Sequence, residues 1–368
     1  MKILHIYKNY FPVLGGIENH IKLVCEELAK SPDYQVQVVV TNGGFNTKKE
    51  VLNGVEIIKC GRLFETASTP VSLSMYWHLK TLKPDVVHFH FPYPPGELLG
   101  LLAYRRSSTR FVLTYHGDVV RQSALMRLYY PIFNKILVRA STIVVSNPNN
   151  LRTSEILKRI NVQKIKVIPY GIRLEPFRSP QHSQVDTIRA ERGDRVVIFV
   201  GRLRYYKGVQ YLIEAAREVE AKFLIVGDGP QRGELEDLTR RLGVAERVIF
   251  LGEVTNQALV NYLHASDVFV LPSIYRSEAF GISMLEAMAC TVPVISTELG
   301  TGTSYVNIHQ KTGLVVPPAN SKALAEAISS LLENPATRKS MGEAGHNRVS
   351  QEFTQVRMLE RLKKVYHS

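Results

Sequence analysis

The stretch Val196-Val197-Ile198-Phe199-Val200-Gly201-Arg202-Leu203-Arg204-Tyr205-Tyr206-Lys207-Gly208 runs from an unbroken apolar segment into a polar turn, and a helical pattern follows over Val209–Glu220. Five apolar residues without alternation read as a strand covered on both faces, as in a parallel sheet flanked by helices. The same unit recurs from end to end. Strands are expected at Ile3–Tyr7, Val36–Thr41, Val55–Lys59, Val86–His90, Phe111–Tyr115, Thr142–Ser146 and Lys166–Ile168. A second series falls at Val196–Gly201, Lys222–Val226, Val248–Leu251, Val268–Leu271, Val294–Ser296 and Gly313–Val316. Between most of them, apolar residues recur at i, i+3, i+4, as in Ile17–Lys30.

This alternation predicts an α/β protein of two Rossmann-like domains, and the 368-residue length fits two cores better than one. The pattern breaks in Gly171–Arg195, a polar stretch with Pro176 and Pro180. The expected domains are therefore 1–173 and 174–352. A final helix, Phe353–Tyr366 within 353–368, is long enough to return to the first. Ligands of such sheets bind beyond the carboxyl ends of the strands, so both domains are expected to face one central cleft.

Composition narrows the classes. Hydrophobic residues make up 45% and charged residues 21%, as in soluble globular proteins. There is no run of about 18 apolar residues to span a bilayer. Met1–Tyr7 reads as a strand and not as a signal peptide. Cys25, Cys60 and Cys290 are far apart and odd in number, which points to reduced thiols and a cytoplasmic location. The net charge of +13 sits in the first half: residues 1–174 hold 23 basic against 11 acidic side chains, and 101–174 hold 13 against 2. Such a block attracts anions, either phosphorylated substrates or an acidic membrane surface; a merely solvated basic face is the competing reading. Zinc-finger spacing and RNA-binding aromatic patterns are lacking, so no nucleic-acid partner is expected.

Three constellations carry chemistry. In the first, Arg202 and Lys207 stand at a strand end before a helix, where two cations and open helix amides suit a diphosphate; two solvated loop charges are the alternative. In the second, Gly227 and Gly229 of Val226-Gly227-Asp228-Gly229-Pro230 permit close ligand approach or simply make a turn. Val254, after Leu251-Gly252-Glu253, stands where a backbone edge could meet a nucleobase. The third is Ser277-Glu278-Ala279-Phe280-Gly281-Ile282-Ser283-Met284-Leu285-Glu286-Ala287-Met288-Ala289-Cys290, which opens a helix near Gly281. Glu278 precedes that helix and can accept bonds from sugar hydroxyls. The amides of Phe280, Gly281 and Ile282 are free helix-start donors for phosphate, and Glu286 suits a ribose diol in an apolar setting.

With Val292-Pro293-Val294-Ile295-Ser296-Thr297 behind it, this third segment closely resembles the signature of the family 4 retaining glycosyltransferases of GT-B fold. Further matches are Gly15-Gly16, Thr114-Tyr115-His116-Gly117-Asp118, Pro169-Tyr170-Gly171-Ile172, Gly-Asp-Gly-Pro at Gly227–Pro230, and Thr312-Gly313-Leu314-Val315. Together they cover nearly the whole chain in the family's order. The resemblance implies that Gly15 and Gly16 meet the donor diphosphate, that Arg202 and Lys207 stabilise the leaving group, and that Gly227 and Val254 border the nucleotide. It further implies that Glu286 holds the ribose, that Glu278 positions the donor sugar, and that Ala279, Phe280, Gly281, Ile282 and Leu285 complete the donor pocket. His116 is placed at the reacting centre, with Asp118 near it and His90 lining the acceptor side.

The implied reaction keeps the anomeric configuration and needs no metal or other cofactor, and no Asp-x-Asp motif is present to hold one. The donor would be a GDP- or UDP-sugar; the acceptor would be lipid-linked or a saccharide of surface-polysaccharide synthesis. The sequence departs from the family at Ala279, where Gly is common, and after Thr297, where Glu298-Leu299-Gly300-Thr301-Gly302-Thr303-Ser304-Tyr305 replaces a Gly-Gly pair. Similar stretches in bacterial O-antigen and exopolysaccharide transferases favour mannose from GDP-mannose. Acceptor pockets are expected in the loops Thr41–Glu50 and Phe89–Gly96.

Other readings compete. His88 and His90 share one strand face at a spacing metals use, but without a third ligand in view they read as cleft-lining or core residues. Ser123–Ala140 is either a basic amphipathic segment at a membrane surface or a core helix bent at Pro131. A nucleotide-sugar epimerase or a phosphorylase-like enzyme would share the architecture, and an inactive basic binding module would share the charge. The Glu278/Glu286 pattern speaks against the first, nothing in the sequence suggests the pyridoxal phosphate lysine that the second needs, and intact Arg202, Lys207, Glu278 and Glu286 speak against the third.

Overall fold

The computed structural model describes residues 1–13, 15–66, 69–119 and 123–368. The chain divides into two compact units. The first begins with β1 (Lys2–Ile6), α1 (Gly16–Ala29), β2 (Gln35–Thr41), β3 (Lys48–Leu52), β4 (Val55–Cys60), β5 (Phe64–Thr66) and β6 (Thr69–Val71). It continues through α2 (Ser74–Thr81), β7 (Val86–Phe91), α3 (Pro94–Ala103), β8 (Arg110–Tyr115), α4 (Ser123–Arg139) and β9 (Thr142–Val145). After α5 (Asn149–Thr153), β10 (Ile165–Val167) closes the sheet. Its order is β10-β9-β8-β7-β1-β2-β4-β3, parallel except for β3 on β4. All six residues of β7 are buried because helices cover both faces of this central strand.

The second unit opens with α6 (His182–Arg192), β11 (Val196–Val200), α7 (Val209–Ala215), β12 (Lys222–Val226), α8 (Arg232–Arg241) and β13 (Val248–Gly252). Then come α9 (Asn256–His264), β14 (Val268–Leu271), α10 (Ile282–Ala289), β15 (Val294–Thr297), α11 (Thr303–Val306) and β16 (Gly313–Val316). The helices α12 (Ser321–Glu333), α13 (Pro335–Glu352) and α14 (Gln355–His367) end the chain. Its six strands are all parallel, in the order β13-β12-β11-β14-β15-β16. This is the doubly wound order 3-2-1-4-5-6, and the strand order reverses between β11 and β14. In the first unit the reversal falls between β1 and β7. All thirteen expected strands form, within a residue or two at each end.

Several boundaries differ from the sequence reading. The first unit comprises Met1–Ser146, Ser154–Ile168 and Met358–Ser368, and the second Asn147–Thr153 and Pro169–Arg357. Pro169–Arg173 therefore leaves the first domain. Ile172 exchanges backbone bonds with Phe353 and Gln355, both 2.9 Å, and a side chain on Gly171 would collide with the Thr354 carbonyl at 2.3 Å. The final helix begins in the second unit and ends in the first. There Tyr366 Oη is 2.7 Å from His88 Nδ1, and Arg110 donates to the Ser368 carbonyl at 2.6 Å. The expected loop Thr41–Glu50 already contains the start of β3. Its sequence, Lys-Lys-Glu-Val-Leu, lacks a buried face because the strand is an exposed edge. The expected helix Val209–Glu220 is shorter, ending at Ala215 in tight turns.

Candidate active site

In the second unit, the loops after β11 and β14 flank the reversal point, so Lys207 and Glu278 meet although they are 71 residues apart. Lys207 Nζ lies 2.5 Å from Glu278 Oε2, and the two side chains are only 11% and 10% exposed. Ser273 donates to the same carboxylate oxygen at 3.0 Å, and Thr301 Oγ1 donates to the Glu278 carbonyl at 2.7 Å. Burial alone would lower the Lys207 pKa. The Glu278 carboxylate, with help from Tyr206 and Glu286, outweighs it and holds the ammonium above its ordinary value. Glu286, one helical turn into α10, is pushed up to about 7 by burial, against the opposing pull of Lys207.

Backbone geometry fixes this arrangement. Gly208 has φ +65° between Lys207 and α7, and a Cβ there would meet the Pro272 carbonyl oxygen at 2.1 Å. Only glycine lets the Lys207 loop pack so closely on the loop that carries Glu278. Gly281, at φ +82°, opens α10 without a side-chain cap. The amides of Phe280, Gly281 and Ile282 have no partner among the described residues, so the helix start presents donors with a partial positive charge. Arg202 is exposed and likewise unpaired among the described residues. Phe280 and Leu285 point into the core, Phe280 against Tyr170 at 4.9 Å.

Gly227 and Gly229 are explained by chain packing. Added side chains would strike the carbonyls of Gly201 at 2.2 Å and Leu203 at 2.4 Å. The close approach that the glycines permit is thus to the Arg202 loop itself. Gly227 N also donates to the Gly252 carbonyl at 2.7 Å, which places the half-buried Val254 one strand over, at the end of β13.

The run after Thr297 folds back onto Glu278–Phe280. Gly302 N donates to the Ala279 carbonyl at 2.9 Å, and Gly302 must be glycine because a Cβ would meet that oxygen at 2.7 Å. Helix α5 clamps the run: Asn149 donates to the Thr301 carbonyl at 2.7 Å, and Thr153 to the Gly300 carbonyl at 2.8 Å. Arg276 reaches Thr153 Oγ1 at 2.9 Å. The sequence reading missed Ser273, Thr301, Asn149, Thr153 and Arg276. They are ordinary polar residues whose role exists only through pairings distant in sequence.

In the first unit, Gly16 opens α1 and Gly15 has an extended backbone, with the Glu18 carboxylate folded against it. His116 follows β8 and is buried with His5, His20, His88 and His90. Burial depresses all five imidazoles: His5 to about 3, His20 to about 4, the others well below the usual range. His5 supplies the third ring that was not visible beside His88 and His90, its nitrogens lying within 4.8 Å of theirs. Both His88 nitrogens are engaged at 2.7 Å, by Tyr366 Oη and Thr114 Oγ1, so His88 reads as a hydrogen-bonded core residue. Asp118 is anchored by Tyr115 Oη and Ser154 Oγ, each at 2.6 Å. In α4, Phe133, Ile136 and Leu137 are buried while Leu125, Leu128 and Val138 are exposed, and the helix runs through Pro131. Among the described residues no helix is long and apolar enough to cross a membrane.

The second of the two doubly wound domains thus sets the Lys207–Glu278 pair at a helix start beyond its reversal point, a place where such sheets bind ligands. Residues 14–176 match the family described as Glycosyltransferase Family 4, and residues 183–348 match Glycosyl transferases group 1. The chain is 37% identical over 359 residues to D-rhamnosyltransferase WbpZ of Pseudomonas aeruginosa, covering 96% of this chain and 92% of that protein. It is 35% identical over 369 residues to O-antigen chain mannosyltransferase C of Escherichia coli, covering 100% and 98%. Sucrose-phosphate synthase from Thermosynechococcus elongatus shares the fold, with a TM-score of 0.82 at 24% identity over 100% of this chain and 98% of that one. The chain belongs to the family 4 glycosyltransferases and has the GT-B fold.

Proposed function

We propose that the protein is a retaining, metal-independent hexosyltransferase that moves a mannose-type sugar from GDP to a lipid-linked or saccharide acceptor in surface-polysaccharide synthesis. The observation that carries this reading is the buried Lys207–Glu278 pair beside the uncapped start of α10, with Arg202, unpaired among the described residues, on the same loop as Lys207. Departure of a nucleoside diphosphate leaves negative charge, which Arg202, Lys207 and the Phe280–Ile282 amides meet with no reorganisation. These fixed positive groups supply what a metal would otherwise supply, and EDTA is expected to leave turnover intact. Glu286 takes the ribose diol, Val254 borders the base, Gly227 shapes the nucleotide loop, Ala279 walls the donor pocket, and Leu285 anchors α10 beneath it from the core. Gly15, Gly16, His116, Asp118 and His90 of the first domain serve the diphosphate, the reacting centre and the acceptor.

Glu278 acts as a sugar-positioning group. Its Oε2 already accepts from Lys207 and Ser273, which stabilises the carboxylate and weakens it as a nucleophile. Same-face attack through an ion-pair-like transition state fits that environment. Mannose-type donors are favoured because two full-length relatives, at 37% and 35% identity, are named for D-rhamnose and mannose transfer, and D-rhamnose is mannose lacking the 6-hydroxyl. The test is a panel of GDP-, UDP- and ADP-sugars read by donor hydrolysis and product anomer. The expected outcome is turnover of GDP-mannose to an α-linked product, and preference for another base or an inverted product would refute it.

The exposed Leu125, Leu128 and Val138 of α4, together with Arg127 and Lys135, support peripheral membrane contact from the cytoplasmic side. Binding to anionic vesicles should fall steeply with salt. Equal partitioning to neutral vesicles would remove this part of the reading.

A further inference from the structure

A groove of about 580 Å³ opens on the second unit beyond the carboxyl ends of β15 and β16. That volume falls in the range of small-molecule sites, about 300–1,000 Å³. Glu298 and Ser304 line it from the run after Thr297, Ile308 and His309 from the loop before β16, and Pro317 and Pro318 from the turn after it. The run after Thr297 is therefore a shared wall. Its Thr301 and Gly302 bond to the Glu278 and Ala279 carbonyls, while its Glu298 and Ser304 meet the groove.

Two polar groups of the groove are set before any ligand arrives. Glu298 Oε1 accepts from Gly300 N at 2.7 Å and from Ser304 Oγ at 2.9 Å, and Oε2 has no partner among the described residues. Val315 N donates to His309 Nδ1 at 3.0 Å. A backbone N–H can only donate, so Nδ1 carries the lone pair and the ring proton sits on Nε2. That Nε2 has no partner among the described residues. Asn307 is buried and ties β15 to β16. Its amide donates to the Val294 and Leu314 carbonyls at 3.1 and 2.9 Å, and its Oδ1 accepts from Thr312 at 3.0 Å. Two non-glycine residues of the flanking loops, Gln310 and Ala319, hold φ +60° and +54°, a strain that clusters at functional sites.

These groups select a ligand. The fixed carboxylate oxygen accepts from hydroxyls, the Nε2–H donates to a hydroxyl or ring oxygen, and the carbons of Ile308, Pro317 and Pro318 cover the C–H face of a ring. Among the described residues no lysine or arginine lines the groove, so nothing there answers a phosphate or a carboxylate, and Glu298 repels both.

We propose that this groove is a saccharide subsite, which takes a neutral pyranose of the acceptor chain other than the one that receives the sugar. The proposal rests on the reading that the acceptor is a saccharide. It adds a site on the second domain, separate from the donor pocket.

The probe is α-mannobiose, titrated into the full chain labelled at histidine and valine nitrogens, with and without GDP, and followed by 1H–15N spectra. Two variants are compared, with melting curves to check folding. His309→Asn keeps an oxygen that can accept from Val315 N and removes the Nε2–H. Glu298→Gln keeps an oxygen for Gly300 N and Ser304 and replaces the charged one. Mannobiose should shift the Val315 amide and the His309 ring nitrogens whether or not GDP is bound. Glu298→Gln should weaken binding about tenfold and His309→Asn about fivefold, the worth of a charged and a neutral hydrogen bond. The same factors should appear in KM for acceptors of two or more hexoses, with donor hydrolysis within about twofold of wild type. A disaccharide carrying a uronic acid should not bind. Absence of the Val315 and His309 shifts, wild-type affinity in both folded variants, or equal binding of the uronic acid overturns the proposal. Those shifts in a protein that turns over no nucleotide sugar would instead sink the proposed reaction and leave the saccharide site standing, so the two failures are distinguishable.

Discussion

The two domains share a sheet order around their reversal points yet treat buried polarity in opposite ways. In the second, the groups at that point sit in the loops beyond the strands and stay charged, as Lys207 paired with Glu278. In the first, His5, His88 and His90 lie on β1 and β7 themselves, and burial strips their charge. A loop at a strand end can bring an opposite charge, a hydroxyl and open amides to one place. A central strand covered by helices offers only neutral partners, a ring on the next strand or the Tyr366 hydroxyl of the covering helix, so a titratable ring there is neutral and hydrogen-bonded. Fixed charge suits a diphosphate, and neutral rings suit hydroxyls.

Acid should break this contrast most severely. The five histidines have folded pKa values below the unfolded 6.5, so the native state binds fewer protons and their contribution, present above that pH, is lost as pH falls. At pH 5 the rings of His5 and His20, lowered to about 3 and about 4, each cost roughly 2 kcal/mol, and the other three add in the same direction. Glu97, raised to about 7 by burial, has the opposite sign and offsets about one ring. The first domain is expected to melt before the second near pH 5, as read by hydrogen exchange, and simultaneous loss of both would contradict the contrast.

Lys207→Ala comes next. It leaves Glu278 buried without its partner and removes a leaving-group cation, so kcat/KM should fall roughly 100- to 1000-fold. Lys207→Met combined with Glu278→Gln should restore the melting temperature but not turnover, which separates folding from chemistry. Gly208→Ala should cost about 2 kcal/mol by denaturant titration, because alanine resists φ +65° and its Cβ meets the Pro272 carbonyl. The smallest effect is expected at Glu286. Its carboxyl ionises near pH 7, so donor affinity should improve up to about tenfold between pH 6 and 8, and Glu286→Gln should flatten that slope.

Much of this molecule was legible residue by residue. The strands are continuous apolar runs, and the motifs at Gly201–Gly208 and Glu278–Glu286 lie where strand gives way to helix. Edge strand β3 was hidden because Lys48, Lys49 and Glu50 face solvent and give no burial period. Gly227 and Gly229 read either as an approach for a ligand or as a plain turn, and the backbone they accommodate, that of Gly201 and Leu203, is recorded by no local pattern.

The sequence by itself determined the α/β class, the two domains and the local placement of Arg202, Glu278 and Glu286, because hydrophobic period and turn residues act over a few positions. Only the tertiary structure decided that Lys207 pairs with Glu278, that His5 joins His90 across 85 residues, and that α5 clamps the Gly300–Thr301 turn. Those contacts depend on which strand ends the order 3-2-1-4-5-6 brings side by side, and that order is a property of the whole packed sheet.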